Sequence, residues 1–259
     1  MIAIDVESGT LFRRTQEEMS YDLKRFILHT LARQYKPPGR RKVLDAVSFS
    51  IMRGEKVGII GENGSGKSTL LKVVSGILGL TSGSVSVHGR IAPLIELGAG
   101  FDPDLSLREN VIYYGVLLGF TKSQMQQRVA RILEFAELSD RANEPLKALS
   151  SGMNARLAFA VATDEHPDIL LLDEVLSVGD ENFRAKSARR IQALWSEHAT
   201  IVLVSHDLDY IGSQCDRVLW LHQGHLVADG DPADIIPQYR RAATAPRRPG
   251  PAPVYESVS

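Results

Sequence analysis

Three unbroken apolar runs punctuate the chain: Val57 to Ile60, Ile169 to Leu172 and Thr200 to Val204. Runs of this length without alternation fit strands buried on both faces of a parallel sheet, whose carboxyl ends are where ligands collect. Elsewhere the period is two. Ile2 to Val6 forms a short strand-like stretch, Val85 and Val87 alternate ahead of a turn at Gly89, and Val218 to Leu221 and Leu226 to Ala228 flank a glycine-containing hairpin turn. Between 105 and 163 the spacing becomes helical and predicts helices over Leu107 to Phe120, Lys122 to Ala136 and Gly152 to Thr163. Residues 43–100 and 165–236 therefore read as an α/β core, with 105–163 a helical block set into it.

One further stretch is helical in period and unusual in charge. From Ser20 to Tyr35, Leu23, Phe26, Ile27 and Leu31 share a face, with Lys24, Arg25, His29 and Arg33 mainly on others. Residues 13–42 hold nine cations against three acids in a chain whose net charge is −1. A basic amphipathic helix over about 20–35 suits a membrane surface, an anionic lipid-linked substrate or a protein partner; it could equally pack its stripe on its own domain. After Tyr239 the chain turns to Arg240, Arg241, Arg247 and Arg248 among prolines, which reads as a disordered tail over 240–259 beyond a single domain of 1–239.

The remaining composition narrows the setting. A hydrophobic content of 44% is ample for a core, and the near-neutral balance gives no general pull toward nucleic acid. The single cysteine, Cys215, rules out an internal disulfide and reads as a small buried hydrophobe. No apolar run reaches the roughly eighteen residues of a spanning helix. Asp5 and Glu7 interrupt any secretory leader. The expected location is the cytoplasmic face of the inner membrane, reached only through a partner.

The first apolar run delivers the chain into Gly61-Glu62-Asn63-Gly64-Ser65-Gly66-Lys67-Ser68-Thr69, a phosphate-loop spacing that opens a helix at Ser68 or Thr69. Glycines 61, 64 and 66 let successive backbone N–H groups turn inward on the phosphates of ATP, Lys67 brings charge to the β and γ oxygens, and the Ser68 hydroxyl suits Mg²⁺. The second run ends in Asp173 and Glu174, placed to hold the Mg²⁺ shell and to act as general base on the attacking water. The third ends in Ser205-His206-Asp207, which sets His206 on the same rim for a γ-phosphate contact. Leu149-Ser150-Ser151-Gly152-Met153 precedes an alanine-rich helix that Ser150 or Ser151 can cap. It is an anion site with no strand beneath it, and it makes sense if it meets ATP held by a second copy.

The phosphate loop, the 149–153 segment, the Asp173-Glu174 pair and the Ser205-His206-Asp207 corner occur in the order and spacing of ABC-type ATPase domains, which the chain resembles over about 43–239. The middle segment, usually Leu-Ser-Gly-Gly-Gln in that family, carries Ser151 and Met153 here. With Asp173 to Asp180, with Glu96 to Leu105 and with Arg108-Glu109-Asn110, it is similar to the ATPase subunits of O-antigen, capsular polysaccharide and teichoic acid exporters. The resemblance implies an α/β P-loop NTPase with a RecA-like core sheet, an antiparallel β region and a helical lobe at about 105–163.

It further implies a homodimer that sandwiches two ATPs, with Ser150, Ser151 and Gly152 facing the ATP of the opposite subunit. A permease would dock between lobe and core, and the cargo would be a polysaccharide or lipid-linked glycan. The family's usual glutamine ligand is missing around Glu96-Leu97, so either Glu96 contacts Mg²⁺ or the contact is made differently. Either Phe12 or Tyr35 would stack on adenine, with Phe12 the better fit. The short C-terminal region leads us to expect no appended carbohydrate reader. The alternatives are an ABC ATPase for another cargo, or a soluble ABC-type protein without a transport role.

Overall fold

A computed structural model describes residues 1–14, 40–95, 97–173, 180–196, 199–244 and 255–256. The predicted helix at 20–35, Tyr35, Glu96 and Glu174 lie outside these residues. Among the described residues the chain forms two sheets. The larger has the strand order β5-β6-β7-β3-β8-β9, built from Ile91–Leu94 (β5), Ile169–Asp173 (β6), Thr200–Val204 (β7), Lys56–Ile60 (β3), Arg217–His222 (β8) and His225–Gly230 (β9). All its pairings are parallel except the β8–β9 hairpin. The smaller is antiparallel: Ile2–Arg14 (β1) pairs with Arg40–Met52 (β2) on one side and Ser82–Val87 (β4) on the other, and Tyr255–Glu256 (β10) adds to β2.

The unbroken apolar runs are explained by two cores, one on each face of the larger sheet. Ile169 and Leu171 point into a core shared with the antiparallel sheet and with helix Lys67–Val74 (α1), while Leu170 and Leu172 point into another. That second core is closed by Glu181–Ser196 (α5), Leu208–Gln214 (α6) and Pro232–Thr244 (α7), which contribute Phe183, Ile191, Ile211 and Ile235. Fully burying such aliphatics contributes about 1.5–3 kcal/mol each, so β6 is fixed from both sides and its C-terminal Asp173 is held at the sheet rim.

The helical block folds around a third core. Its helices are Leu107–Leu117 (α2), Lys122–Ala136 (α3) and Ser151–Ala162 (α4). Capping boxes, Ser106 with Glu109 and Thr121 with Gln124, start the first two. Buried Asn110 accepts from the Asp102 N–H at 2.8 Å and donates to the carbonyls of Asp102, Leu105 and Ser106, pinning the preceding loop to α2. Lobe and core meet through charge. Glu165 takes Arg90 at 2.8 Å and also Arg128, Arg131 binds Asp164 at 2.8 Å, and the Phe120 ring lies 4.9 and 4.7 Å from the Arg90 and Arg128 guanidinium carbons.

Several boundaries differ from the sequence reading. The first helix begins at Lys67 rather than Ser68 or Thr69, because glycine at 66 takes φ 110 and serves as its N-cap. The helix expected to reach Phe120 ends at Leu117, where Leu118 leaves helical geometry and Gly119 takes φ 94. Residues 240–244, assigned to the tail, continue α7, whose Tyr239 packs edge-on against Trp220 at 5.4 Å. Tyr255–Glu256, also assigned to the tail, pair with β2.

Candidate functional site

The order β6-β7-β3 sets three strand ends side by side. Asp173 is in register with Val204, and Val204 with Ile59. Neighbouring strands lie about 4.8 Å apart, so Asp173, the His206 corner and the phosphate loop share one rim. Asp173 is half-buried there and His206 is exposed. Asp207 caps α6 by accepting the Tyr210 N–H at 2.9 Å, which fixes the corner that presents His206.

The phosphate loop is built by its neighbours. Gly61 has φ 151, and a Cβ there would fall 2.1 Å from the carbonyl oxygen of Leu221 on β8. The Gly224 N–H, in the β8–β9 turn, donates to the Ser65 carbonyl at 2.9 Å. On the other side a Cβ on Gly66 would meet the Val43 carbonyl at 3.0 Å. Lys67 is only 7% exposed, and its Nζ donates to the carbonyls of Gly61 at 2.7 Å and Glu62 at 3.0 Å. A buried ammonium held by loop carbonyls at a helix N-terminus, beside a Ser65 hydroxyl that is buried without a hydrogen-bond partner, is a fit for phosphate. Ser68 is exposed and Thr69 half-buried at the start of the helix, while Glu62, Asn63 and Gly64 line the exposed crest of the loop.

Phe12 lies near the C-terminal end of β1. It is paired across the sheet with Lys42, the residue before Val43, and the Lys42 Nζ is 5.5 Å from its ring centroid. Phe12 is thereby paired with β2 one residue from Val43, whose carbonyl abuts Gly66.

The 149–153 segment belongs to the lobe. Ser150 is the N-cap of α4, its Oγ accepting the Met153 N–H at 3.3 Å, so Ser150 and not Ser151 does the capping. Ser151 is exposed, and a Cβ added to Gly152 would meet nothing within 4 Å. The segment is thus open to an outside partner. Arg141 braces it from behind, donating to the Met153 Sδ at 3.4 Å and the Ala148 carbonyl at 3.3 Å. Sequence reasoning missed Arg141, since nothing in its local pattern marks so distant a role. It also gave no individual role to Arg156 or Asp180, whose pairing joins α4 to the start of α5.

Comparison with known proteins supplies the context. Residues 44–177 match the family described as ABC transporter. The chain is 46% identical over 199 residues to the O-antigen export system ATP-binding protein RfbB of Myxococcus xanthus, covering 77% of this chain and 46% of that one. It is 44% identical over 199 residues to the Klebsiella pneumoniae protein of the same name, covering 77% and 81%. Against the teichoic acids export ATP-binding protein TagH of Lactococcus lactis it is 42% identical over 195 residues, covering 75% and 42%. The chain thus spans less than half the length of the Myxococcus and Lactococcus relatives.

Among solved structures, an ATP-binding subunit of an ABC transporter superposes with a TM-score of 0.65 at 22% identity, covering 92% of this chain and 93% of that one. A dimeric post-hydrolysis ATP-binding cassette bound to ADP and Pi gives a TM-score of 0.63 at 23% identity, covering 88% and 98%. These likenesses establish the fold: an α/β P-loop NTPase core with a helical lobe and an antiparallel sheet.

Proposed function

We propose, because this chain belongs to the ABC transporter family, that it is the ATP-hydrolysing subunit of an exporter carrying a polysaccharide or lipid-linked glycan across the cytoplasmic membrane. The observation that carries this reading is the division of anion-binding elements. Lys67 and its loop form one on the core, while the Ser150 N-terminus of α4 forms another on the lobe, open to the outside. A chain with two such half-sites completes both only by pairing with a second copy. The choice of cargo is supported by the 46% and 44% identity to O-antigen export proteins.

In this reading ATP lies on residues 61–69 with its base against Phe12, and Ser150, Ser151 and Gly152 of a second copy close over its γ-phosphate. Ser68 and Asp173 would hold Mg²⁺, with Glu96 a further ligand; the ion neutralises charge on the transferring phosphoryl group. Glu174 takes the proton of the attacking water, and His206 contacts the γ-phosphate from the end of β7. Among the described residues no helix is long and apolar enough to cross a membrane. As the exporter relatives suggest, the subunit would act from the cytoplasmic face through integral permease subunits.

The deciding experiment deletes the gene in its host and assays glycans on their lipid carrier. Intracellular accumulation of one lipid-linked glycan, reversed by the wild-type chain and not by Glu174→Gln, is the expected result. Unchanged surface glycans would overturn the assignment of cargo.

A further inference from the structure

The core sheet has a second rim, at the amino ends of its parallel strands. β3 and β6 are each five residues long, which sets this rim roughly 16 Å from the strand ends that carry the phosphate loop and Asp173. A cleft of about 260 Å³ opens there, between the turn before β3, the turn before β5, the loop before β6 and the start of β7. Arg53, His88 and His166 line it from three of these segments, with Asp168 beside them. None of the four belongs to the nucleotide site.

The walls of the cleft are held by backbone. Buried Thr200 accepts the Gly54 N–H on its hydroxyl at 3.0 Å and donates its own N–H to the Asp168 carbonyl at 2.9 Å. The Arg53 turn, β7 and the loop before β6 are tied together in this way. The Arg53 N–H donates to the Met1 carbonyl at 2.9 Å and the His88 N–H to the Ala3 carbonyl at 2.8 Å, which fixes both residues on β1. The Arg90 guanidinium donates to the His166 carbonyl at 3.3 Å. Gly89, at φ 132, approaches so closely that a Cβ there would fall 2.6 Å from the Cβ of Asp168.

The side chains facing the cleft favour an anion. The Arg53 guanidinium is exposed, and among the described residues it meets the His88 carbonyl at 3.5 Å and no carboxylate. The imidazoles of His88 and His166 are exposed, and each has an N–H to donate. Donors fixed by separate segments around one hollow suit the oxygens of a phosphate group. Among the described residues no three His, Cys, Asp or Glu side chains converge as a metal site requires. Asp168 adds a condition. Its Oδ2 accepts the Arg90 N–H at 2.8 Å, while its Oδ1 has no hydrogen-bond partner among the described residues. A carboxylate oxygen beside a bound phosphate repels it, and the repulsion is offset when the ligand also brings a hydroxyl to that oxygen.

We propose that this cleft binds a small hydroxylated phosphomonoester, of the class of the sugar phosphates. Its phosphate oxygens meet Arg53, His88 and His166, and one of its hydroxyls donates to Asp168. A volume of about 260 Å³ suits a ligand smaller than a nucleotide. The site is separate from that of ATP and does not depend on the choice of cargo.

The test is calorimetric titration of the full-length chain, with Mg²⁺ and a non-hydrolysable ATP analogue at saturation so that the phosphate loop is filled. The probes are glucose 6-phosphate, inorganic phosphate and glucose. Glucose 6-phosphate should bind with a Kd below about 1 mM, about tenfold tighter than inorganic phosphate, and glucose should give no saturable heat. Arg53→Gln and His88→Gln should each weaken glucose 6-phosphate about tenfold while ATP turnover stays within about twofold of wild type, since both side chains are exposed. Asp168→Asn keeps an oxygen for the Arg90 N–H and removes the charge. It should tighten inorganic phosphate several-fold and so erase the preference for the sugar ester.

No saturable binding of glucose 6-phosphate up to about 10 mM overturns the proposal, as does undiminished binding in R53Q. Equal affinity of the wild type for inorganic phosphate and glucose 6-phosphate overturns the assigned ligand class. Binding seen only when the nucleotide analogue is left out puts the probe on the phosphate loop, and overturns the second site.

Discussion

The ammonium of Lys67 donates to the carbonyl oxygen of Gly61 at 2.7 Å, closing the phosphate loop across its own mouth. A cation 7% exposed and satisfied by backbone oxygens has a strong preference for an incoming anion. Saturating nucleotide at 100 times its Kd should stabilise the wild-type fold by about 2.7 kcal/mol. Lys67→Ala should lose that ligand-induced rise in Tm, read by thermal melts with and without MgATP.

Two glycines separate folding from assembly. Gly61→Ala forces a Cβ to 2.1 Å from the Leu221 carbonyl at a φ that side chains avoid, and should cost about 3 kcal/mol of stability. Gly152→Ala meets nothing within 4 Å and should leave stability within about 0.5 kcal/mol. If α4 meets a second copy, G152A should nonetheless weaken ATP-dependent dimerisation, measured by light scattering.

Asn110 is fully buried and spends its amide on one N–H and three carbonyls of the 102–106 turn. Asn110→Ala should destabilise the chain by about 2–3 kcal/mol in denaturant titration, because the groups left behind are stranded away from water. An effect below about 0.5 kcal/mol would mean that water replaces the amide.

How far the site could be read in advance follows from locality. Ile169 to Leu172 betrayed their strand because the two cores demand apolar side chains at every position. The phosphate loop, Asp173 and the Ser150 cap sit in contiguous segments whose chemistry is written locally. β1 was legible only to Val6, since Ser8 takes φ 49 and the register slips between Val6 and Gly9, after which alternation no longer marks the buried face. β2 hides in the same way behind Ala46 at φ 47. α5 carries charge on most of its faces, and its buried residues Phe183, Ser187, Ile191, Leu194 and Trp195 include a polar serine that breaks the apolar stripe. Arg141 and Arg156 act across sequence separations that no local pattern reveals.

The joint between lobe and core should weaken in acid. Burial works against ionisation of Glu165, yet the hydrogen bonds and charges of Arg90 and Arg128 prevail and hold its pKa below the ordinary 4.5. A depressed folded pKa gives stability that is complete above the unfolded value and lost as pH falls through the folded one. Melting curves taken from pH 7 down through pH 3 should show a Tm decline beginning near 4.5, and Glu165→Gln should flatten it.

Cys215 is a buried thiol beside β3. Burial, reinforced by Asp216 and opposed by Lys56, pushes its pKa up to about 12. The native chain should resist a maleimide at pH 7.5 and react fully only in denaturant, because thiolate is scarce and access closed. Stoichiometric labelling of the native fold would contradict this.

The Gly224 N–H that supports Ser65 belongs to the hairpin formed by the last strands of the core sheet. The loop near the start of the domain thus takes its shape from a turn close to its end, and bound nucleotide would report that the two have met.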